Sequence, residues 1–248
     1  MEKVSLLMLT IDRYEQTRNT LEANLIRSGY PYDLYIADNG SQDTRVIDWI
    51  RSLGPAVHLV SRENQGVARA FNSLLKLARG PYYCLLGNDI LLPENWLADL
   101  VTAYQEVPLA GLAGIHCVEM PGIPTEVHPG LKLDLVEKVF GVTFFDHHVF
   151  KAVGYFNEAF NPYGLEDSDY NLRVNRLGFQ SFYLHGAKSD HQGHDVGQDT
   201  AYRKMKDASL VKNSQAWPLI TGQYLETGRW YIPADGEFII NQPQYPGE

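Results

Sequence analysis

Apolar residues in the first part of the chain follow two alternating patterns: short unbroken runs, and longer stretches with apolar positions at helical spacing. Unbroken runs are typical of strands buried on both faces of a sheet, and helical spacing predicts helices with one buried face. The runs lie at 4–10, 33–37, 57–60 and 82–86, and the helical stretches at 14–27, 44–53, 67–78 and 93–107. This alternation predicts an α/β domain with a mostly parallel central sheet.

Polar clusters follow each of these predicted strands, at residues 10–13, 38–43, 62–66 and 87–89. The carboxyl ends of parallel strands meet at one edge of a sheet, and ligands of open α/β sheets bind beyond that edge. We therefore expect the four clusters to form one ligand site.

Beyond residue 108 the alternation is less regular. The segment 121–129 holds three prolines and is predicted to be a loop. Further elements are predicted as strands at 109–118, 141–145 and 180–184, a short helix at 147–153 and an amphipathic helix at 200–212.

Composition limits the class of protein. The chain has 248 residues, 44% of them hydrophobic, which suits one large domain with or without a small extension. A net charge of −9 argues against general nucleic-acid binding, which requires clustered Lys and Arg. The two cysteines fit a reducing compartment, and we find neither a signal-peptide pattern nor an apolar run of about 20 residues. We expect a soluble, cytoplasmic protein without a transmembrane segment.

Three carboxylates, Glu166, Asp167 and Asp169, lie at the start of a predicted helix that ends before Gly178. Acidic residues at a helix start are favoured by the helix dipole, so they can simply stabilise the helix. Aromatic residues and a Pro-Tyr-Gly turn precede them, however, and a carboxylate held there is a candidate general base. The segment by itself leaves both interpretations open.

The cluster Asp38-Asn39-Gly40-Ser41-Gln42-Asp43 follows a predicted strand and precedes a predicted helix. These residues favour an Asx-type turn with Asp43 or Ser41 capping the helix. The alternative is a base- or ribose-binding loop in which a carboxylate accepts from a ring N–H.

Small residues at 66, 68 and 70 open the helix that follows Asn64. They allow either close packing against the sheet or the approach of a ligand to backbone N–H groups. After the strand at 82–86, Asp89 is placed to hold a divalent cation or to form a turn with Asn88. His191 and His194, flanked by Asp190 and Asp195, are either metal ligands or solvated loop residues.

Taken together, these motifs resemble the inverting nucleotide-sugar glycosyltransferases of family 2, which have the GT-A fold, and most closely the rhamnosyltransferase-like branch. The resemblance covers roughly residues 4–195. Its pieces occur in order, as Thr10 with Asp12-Arg13, ADNGSQD, ENQGVARAFN, LLGNDILLPENWL, GVTFF, the FNEAF and EDSDYNLRVNRLGF segment, and SDHQG.

The resemblance implies a role for each matching position. Asp167 matches the general base, with Asp169 as the alternative, and Glu166 would contact the acceptor or the donor sugar. Asp89 and His191 would bind Mn²⁺ or Mg²⁺, although Gly87 departs from the acidic metal motif, in which Asp or Asn is usual. The nucleotide-binding positions would be Thr10, Asp12, Arg13, Asp38, Asn39, Asn64, Gly66 and Asn88, with Asn72 as outer support.

The implied architecture is a GT-A (Rossmann-like) domain over residues 1–195, with a nucleotide-sugar half at about 1–107 and an acceptor half at about 108–195. Residues 196–248 would be a helical, aromatic extension packed on that domain. The implied reaction moves a hexosyl or deoxyhexosyl group from a UDP, GDP or dTDP sugar to a hydroxyl of a glycan or glycoconjugate.

Two other functions fit parts of the pattern. A sugar nucleotidyltransferase would require a Gly-rich loop with Arg and Lys after the first strand, which residues 10–13 do not supply. A non-catalytic nucleotide-sugar-binding protein of the same fold is supported by Gly87 alone. Transfer or donor hydrolysis by the purified protein would exclude it.

Overall fold

The computed structural model describes residues 2–117, 122–128, 130–192 and 201–234. Within these ranges, eleven strands are present: β1 Val4–Thr10, β2 Tyr32–Asp38, β3 Val57–Val60, β4 Tyr82–Leu86, β5 Ile90–Leu91, β6 Ala110–His116, β7 Ile123–His128, β8 Leu131–Leu135, β9 Val142–Asp146, β10 Gln180–Lys188 and β11 Asp190–His191. The helices are α1 Tyr14–Ile26, α2 Thr44–Ser52, α3 Val67–Leu75, α4 Trp96–Glu106, α5 His147–Val153, α6 Glu166–Arg176 and α7 Ala201–Thr227, with a 3-10 turn at Glu158–Phe160.

Nine of these strands form one central sheet in the order β3-β2-β1-β4-β9-β6-β10-β8-β7. β1 pairs in parallel with β2 and β4, β2 with β3, and β6 with β10. Only β8 and β9 run against the other strands, since each pairs antiparallel with both neighbours. The predicted α/β class with a mostly parallel sheet is therefore confirmed.

The sheet buries side chains on both faces, as the unbroken apolar runs predict. Along β1, Leu6 packs into one core cluster with Trp96 and Phe144, whereas its neighbour Leu7 packs into a second cluster with Phe145. Side chains that alternate along a strand point to opposite faces, so both faces must be covered by helices. The strand ends are thereby held in fixed positions.

The prediction of a loop at 121–129 is wrong for the described part of that segment. Residues 123–128 form β7, which pairs antiparallel with β8 at the end of the sheet. Pro124 is tolerated there because an edge strand has a row of N–H groups without a partner strand. Prolines in this segment are therefore compatible with a strand at the edge of the sheet.

The last helix extends well past the predicted end at 212 and contains Pro218. Ile220 and Tyr224 of α7 pack with Phe160 and Ile232 in a third apolar cluster, which Trp217 and Trp230 partly cover. Tyr224 therefore belongs to the core, Trp217 and Trp230 are partly buried against it, and Tyr231 is half exposed. Among the described ranges, no helix is both long and apolar enough to cross a membrane.

Candidate active site

A cavity of about 390 Å³ lies beyond the carboxyl ends of β1 and β4 and beside the first turns of α3, α6 and α7. Part of its wall is apolar, with Leu85, Leu112 and Phe156 among its members. The predicted site residues that line it are Thr10, Arg13, Asn39, Asn64, Asn88, Asp89, Glu166, Asp167 and His191. The predicted residues outside its lining are Asp12, Asp38, Gly66 and Asp169.

Asp89 and His191 are distant in sequence but adjacent in space. β5 follows Asp89 directly and pairs antiparallel with β11, which sets His191 opposite Ile90. His191 Nε2 then lies 3.4 Å from Asp89 Oδ1, and an Arg13 guanidinium nitrogen lies 4.0 Å from Asp89 Oδ2. The pair that the sequence predicts as metal ligands is thus brought together by a short two-stranded sheet.

This donor set fits a divalent cation that is shared with a substrate. Within the described ranges, no three His, Cys, Asp or Glu side chains cluster as a complete metal site. A cation of the Mg²⁺ or Mn²⁺ type commonly takes only one or two protein ligands and completes its coordination with phosphate oxygens and water. Asp89 and His191 meet that requirement. His194 lies outside the described residues.

Asp38 shapes its own loop. Its Oδ1 accepts hydrogen bonds from the N–H groups of Gly40 and Ser41, at 3.2 and 2.9 Å, and its Oδ2 accepts from the Ser41 hydroxyl. Asp38 is fully buried, and Asp43 caps α2 by accepting from Arg45 N. The geometry is that of the Asx-type turn, with the carboxylate directed at the loop rather than at the cavity.

Asp12 ties the loop after β1 to the loop after β2. Its Oδ1 accepts from the N–H groups of Gln42 and Asp43, at 2.7 and 3.0 Å, and its own N–H donates to the Ser41 hydroxyl. The two loops therefore support each other. Thr10 is different, since its hydroxyl is buried at the cavity and has no hydrogen-bond partner within the described chain.

Asn39 and Asn64 form a hydrogen-bonded pair at the cavity wall. Asn39 Nδ2 donates to Asn64 Oδ1 at 2.9 Å, and Asn39 Oδ1 accepts from Gln65 N at 2.8 Å. Asn64 Oδ1 also accepts from Gly66 N at 2.8 Å. Both side chains therefore stabilise the conformation of the loop before α3.

Gly66 allows the start of α3 to approach the segment that leads into α6. Its φ of 85° lies in the left-handed region, and a Cβ there would lie 2.5 Å from Asn161 Oδ1. Further along α3, Asn72 donates to Phe156 O at 3.0 Å and accepts from Phe156 N at 2.8 Å. Both positions join α3 to the segment before α6.

Glu166 and Asp167 lie together in the first turn of α6 and face the cavity. Burial, and then the negative charge of Asp167, raise the pKa of Glu166 to about 8. Glu166 Oε2 is buried and has no hydrogen-bond partner among the described residues. Burial also raises the pKa of Asp167, while the N–H of Ser168, which donates to Oδ1 at 2.6 Å, favours the ionised form.

Asp169 belongs to the interior. It is fully buried, its Oδ2 accepts from Arg173 Nε at 2.8 Å, and its Oδ1 accepts from the Tyr224 hydroxyl at 2.7 Å. Arg173 in turn donates to the carbonyl oxygens of Val153 and Tyr155. With both oxygens paired in the core, Asp169 holds α6 against α5 and α7.

Residues of α7 complete the cavity. Tyr202, Met205 and Lys206 line it, and Lys206 Nζ lies 4.0 Å from the centroid of the Tyr163 ring. The amphipathic pattern in the sequence indicates a buried side for Tyr202 and Met205. It contains no indication that Lys206 faces a site.

α7 also fixes the backbone that precedes α6. Asn213 Nδ2 donates to the carbonyl oxygens of Phe160, Tyr163 and Gly164, at 2.6, 3.0 and 2.8 Å. The Ser209 hydroxyl donates to Tyr163 O at 2.7 Å. These contacts hold the turn from which Glu166 and Asp167 project, and no local pattern predicts them.

The fold is of the GT-A class, and comparison with known proteins gives the family. The sequence model of Glycosyl transferase family 2 matches residues 5–129, which is half of the chain. The chain therefore belongs to glycosyl transferase family 2.

Two solved structures illustrate the likeness of fold. A mannosyltransferase from Pyrobaculum calidifontis, in complex with GDP-Man and Mn²⁺, has a TM-score of 0.63 at 19% identity, covering 79% of this chain and 58% of that one. GalNAc-T7 with UDP, GalNAc and Mn²⁺ has a TM-score of 0.64 at 11% identity, covering 77% and 44%. At these sequence identities the comparison shows a shared fold and nothing more.

Curated relatives match over shorter stretches. A glucosyl-dolichyl phosphate glucuronosyltransferase of Haloferax volcanii is 27% identical over 116 residues, which is 45% of this chain and 37% of that protein. An uncharacterised protein, y4gI, of Sinorhizobium fredii is 29% identical over 180 residues, covering 66% and 18%. The chain thus spans well under two thirds of the length of the curated relatives it matches.

Proposed function

We propose that this family 2 glycosyltransferase is an inverting enzyme that moves a sugar from a nucleoside diphosphate to an acceptor hydroxyl, with Asp167 as general base. The observation that carries the proposal is that one cavity is lined both by Asp167 and by the Asp89–His191 pair. Inverting transfer requires a base for the attacking hydroxyl and a site that stabilises the departing diphosphate.

In this reaction the acceptor oxygen forms a bond to the anomeric carbon from the face opposite the diphosphate. The bond between the anomeric carbon and the diphosphate oxygen breaks, and its electron pair leaves with the nucleoside diphosphate. The acceptor proton passes to the Asp167 carboxylate, which must be ionised and within hydrogen-bond reach.

The surroundings of the three carboxylates favour Asp167 as the base. Asp169 is occupied by Arg173 and Tyr224 in the core. Glu166 has its pKa raised to about 8, so at neutral pH it retains a proton and is suited to donate a hydrogen bond to a sugar oxygen. Asp167 lines the cavity and receives the Ser168 N–H, which favours the charged form.

Asp89 and His191 are the residues that would hold Mn²⁺ or Mg²⁺. A cation bound there supplies Lewis-acid stabilisation of the charge that develops on the diphosphate. Arg13, 4.0 Å from Asp89, adds positive charge at the same point. The presence of Mn²⁺ with the two similar glycosyltransferases above supports this assignment.

The nucleotide lies, in this proposal, against Thr10, Arg13, Asn39, Asn64 and Asn88. Thr10 contributes the buried hydroxyl that has no partner in the described chain. Asp12, Asp38 and Gly66 act indirectly, because their contacts shape the loops that form the wall.

The donor class is a UDP, GDP or dTDP sugar with a hexosyl or deoxyhexosyl group, and the acceptor is a glycan or glycoconjugate in polysaccharide biosynthesis. The rhamnosyltransferase-like branch, a cytoplasmic location and the division of the chain at residue 195 stay predictions. Since α7 supplies cavity residues, we propose that the extension is required for activity.

A thermal-shift panel tests the proposal. UDP, GDP, dTDP and their sugars are each added with and without Mn²⁺, and a ligand that binds the folded state raises the melting temperature. At a concentration of about 100 times Kd, the stabilisation is about 2.7 kcal/mol. One nucleotide should shift the melting temperature more than the others, and more with Mn²⁺. If none does, the chain is not a nucleotide-sugar enzyme.

A non-catalytic binding protein of the same fold is the second candidate, and Gly87 is the observation that favours it. Only Asp89 supplies a carboxylate at this strand end, and a Cβ at Gly87 would lie 2.8 Å from Ile90 Cδ1. Hydrolysis of a bound donor sugar by the purified protein, detected as released nucleoside diphosphate, would exclude this candidate.

A further inference from the structure

Lys206 projects from α7 into the cavity and is held there by aromatic rings. Its Nζ lies 4.0 Å from the centroid of the Tyr163 ring and 5.6 Å from that of Tyr202. A cation over a tyrosine face is attracted by the ring and loses part of its freedom. The side chain is half buried, so the ammonium group lies at the cavity wall instead of in bulk solvent.

The charge of Lys206 acts on both sides of the cavity. It opposes the effect of burial on the pKa of Glu166 by favouring the ionised carboxylate. It also acts on Tyr202, whose hydroxyl interacts electrostatically with Arg13 and Asp89. Lys206 lines the same cavity as the α6 carboxylates Glu166 and Asp167 and the strand-end group formed by Asp89, Arg13 and His191.

The basic side chains that line this cavity differ in their distance from a carboxylate. Arg13 and His191 both lie close to Asp89, at 4.0 and 3.4 Å. Lys206, by contrast, has no carboxylate within 4.0 Å in the described part of the chain, and its neighbours there are rings. An ammonium group at a cavity wall that forms no close ion pair with the described residues is suited to bind an anion.

Gly87 leaves fewer protein ligands for the cation on which the diphosphate would depend. With Gly87 before Asn88-Asp89, a single carboxylate at this strand end faces a cation that would carry the diphosphate. A nucleoside diphosphate brings several negative charges into a partly apolar cavity, where desolvation makes uncompensated charge costly. Additional compensation must come from side chains around the cavity.

We propose that Lys206 is a donor-binding residue that contacts the diphosphate of the nucleotide sugar and stabilises it as the leaving group. This inference rests on the proposed function. Lys206 takes no part in proton transfer, because the electron pair of the broken bond stays on the diphosphate oxygen and the acceptor proton goes to Asp167. Its contribution is therefore the charge and hydrogen-bonding capacity of the ammonium group.

The test compares nucleoside diphosphate binding to the wild-type chain and to Lys206→Met, Lys206→Arg and Lys76→Met, by titration calorimetry with UDP, GDP and dTDP. Lys76 is the matched control, since its Nζ also lies over a tyrosine ring, 5.8 Å from the centroid of Tyr155, outside the cavity lining. Lys206→Met keeps the apolar stem of the side chain but removes the charge.

Lys206→Met should raise the Kd of the preferred nucleoside diphosphate by about tenfold or more, the range for a hydrogen bond between charged groups. Affinity for the corresponding nucleoside, followed by saturation-transfer NMR, should stay the same. Lys206→Arg should restore most of the diphosphate affinity, and Lys76→Met should bind like the wild type. A purely structural Lys206 would instead change nucleoside and diphosphate affinity together.

Equal diphosphate affinity of wild type and Lys206→Met would overturn the inference and leave the proposed function intact. Absence of binding to the wild-type chain would instead defeat the proposed function. Should Lys206→Met lose its folded circular dichroism spectrum, Lys206→Gln, which stays polar at the cavity wall, gives the same comparison against Lys206→Arg. Equal affinity of that pair would also overturn the inference.

Discussion

The hydroxyl of Tyr224 donates a 2.7 Å hydrogen bond to Oδ1 of Asp169, and both side chains are fully buried. The two residues are 55 positions apart, on α7 and α6. The same Asp169 pairs with Arg173 through its other oxygen. This buried hydrogen bond joins α7 to α6, the helix whose first turn contains Asp167. We therefore expect the hydrogen bond between Tyr224 and Asp169 to help hold the Asp167 carboxylate in position.

Replacement of Tyr224 by Phe tests this contact. The ring stays, but Asp169 loses a donor and the amide of Asn157, which donates to the Tyr224 hydroxyl at 2.9 Å, loses its acceptor. Leaving buried polar groups unsatisfied costs about 1–3 kcal/mol each. We expect Tyr224→Phe to lower the free energy of unfolding by at least about 1 kcal/mol, measured by urea denaturation. Tyr231→Phe is the matched control, since Tyr231 is half exposed, and an equal loss there would contradict the prediction.

Gly66→Ala tests the approach of α3 to the segment before α6. The new Cβ would lie 2.5 Å from Asn161 Oδ1 and 2.9 Å from Pro162 Cα, in addition to the strain of a positive φ. Gly54→Ala is the control, because Gly54 has a φ of 61° but nothing within 4 Å of its Cβ position. A left-handed alanine costs about 1–2 kcal/mol.

Gly54→Ala should therefore lower the free energy of unfolding by only that amount, and Gly66→Ala by clearly more, measured by chemical denaturation. Gly66→Ala should also weaken sugar transfer, because the displaced segment leads into Glu166 and Asp167. Equal losses of stability in the two variants would show that Asn161 and Pro162 can move aside without lowering the free energy of unfolding.

Asp167→Asn tests the general base. The amide keeps the shape of the side chain but cannot take the acceptor proton, and general bases contribute about 10²–10⁴-fold to rates. We expect kcat to fall within that range, while the Kd of the nucleoside diphosphate is unchanged. Asp207→Asn, at an exposed carboxylate of α7, should retain wild-type kcat. Near-normal transfer by Asp167→Asn would exclude this residue as the base and direct attention to Glu166.

The pKa of Glu166 predicts a pH dependence of stability. Burial raises this pKa from 4.5 to about 8, so between these values the folded chain holds a proton that the unfolded chain has released. The contribution of the protonated Glu166 to the free energy of unfolding is complete below about pH 4.5, and it is lost as the pH rises towards about 8. Because Asp167 titrates with Glu166 as a pair, the change is spread over this window.

Glu166→Gln removes the titration of that side chain. Relative to this variant, the wild-type chain should lose free energy of unfolding as the pH rises from about 5 to about 8, measured by urea denaturation at several pH values. Parallel curves for the two proteins across this range would show that Glu166 is ionised in the folded state at neutral pH.

Much of the fold can be read from local patterns. The strands at 57–60 and 82–86 and the helix at 147–153 were predicted at their observed bounds, because unbroken apolar runs and helical spacing depend on neighbouring residues only. The pairing of β7 with β8 was missed, since three prolines obscured a strand whose partner decides its form.

The candidate site likewise combines features that local sequence predicts with features that depend on tertiary contacts. The sequence by itself determined the family, the α/β sheet, and the strand-end position of Asp89 and the helix-start position of Asp167, because motifs and periodicity are local properties. Only the tertiary structure decided which carboxylates stay available. The Asp38 carboxylate accepts hydrogen bonds from its own loop, and the Asp169 carboxylate accepts them from Arg173 and Tyr224.

The tertiary structure also decided which distant groups join the cavity. The β5–β11 pairing brings His191 to Asp89, and the packing of α7 brings Lys206 to Tyr163. Such contacts depend on how separate elements fit when their apolar surfaces are buried together. That information is spread over the whole chain, so no single segment contains it.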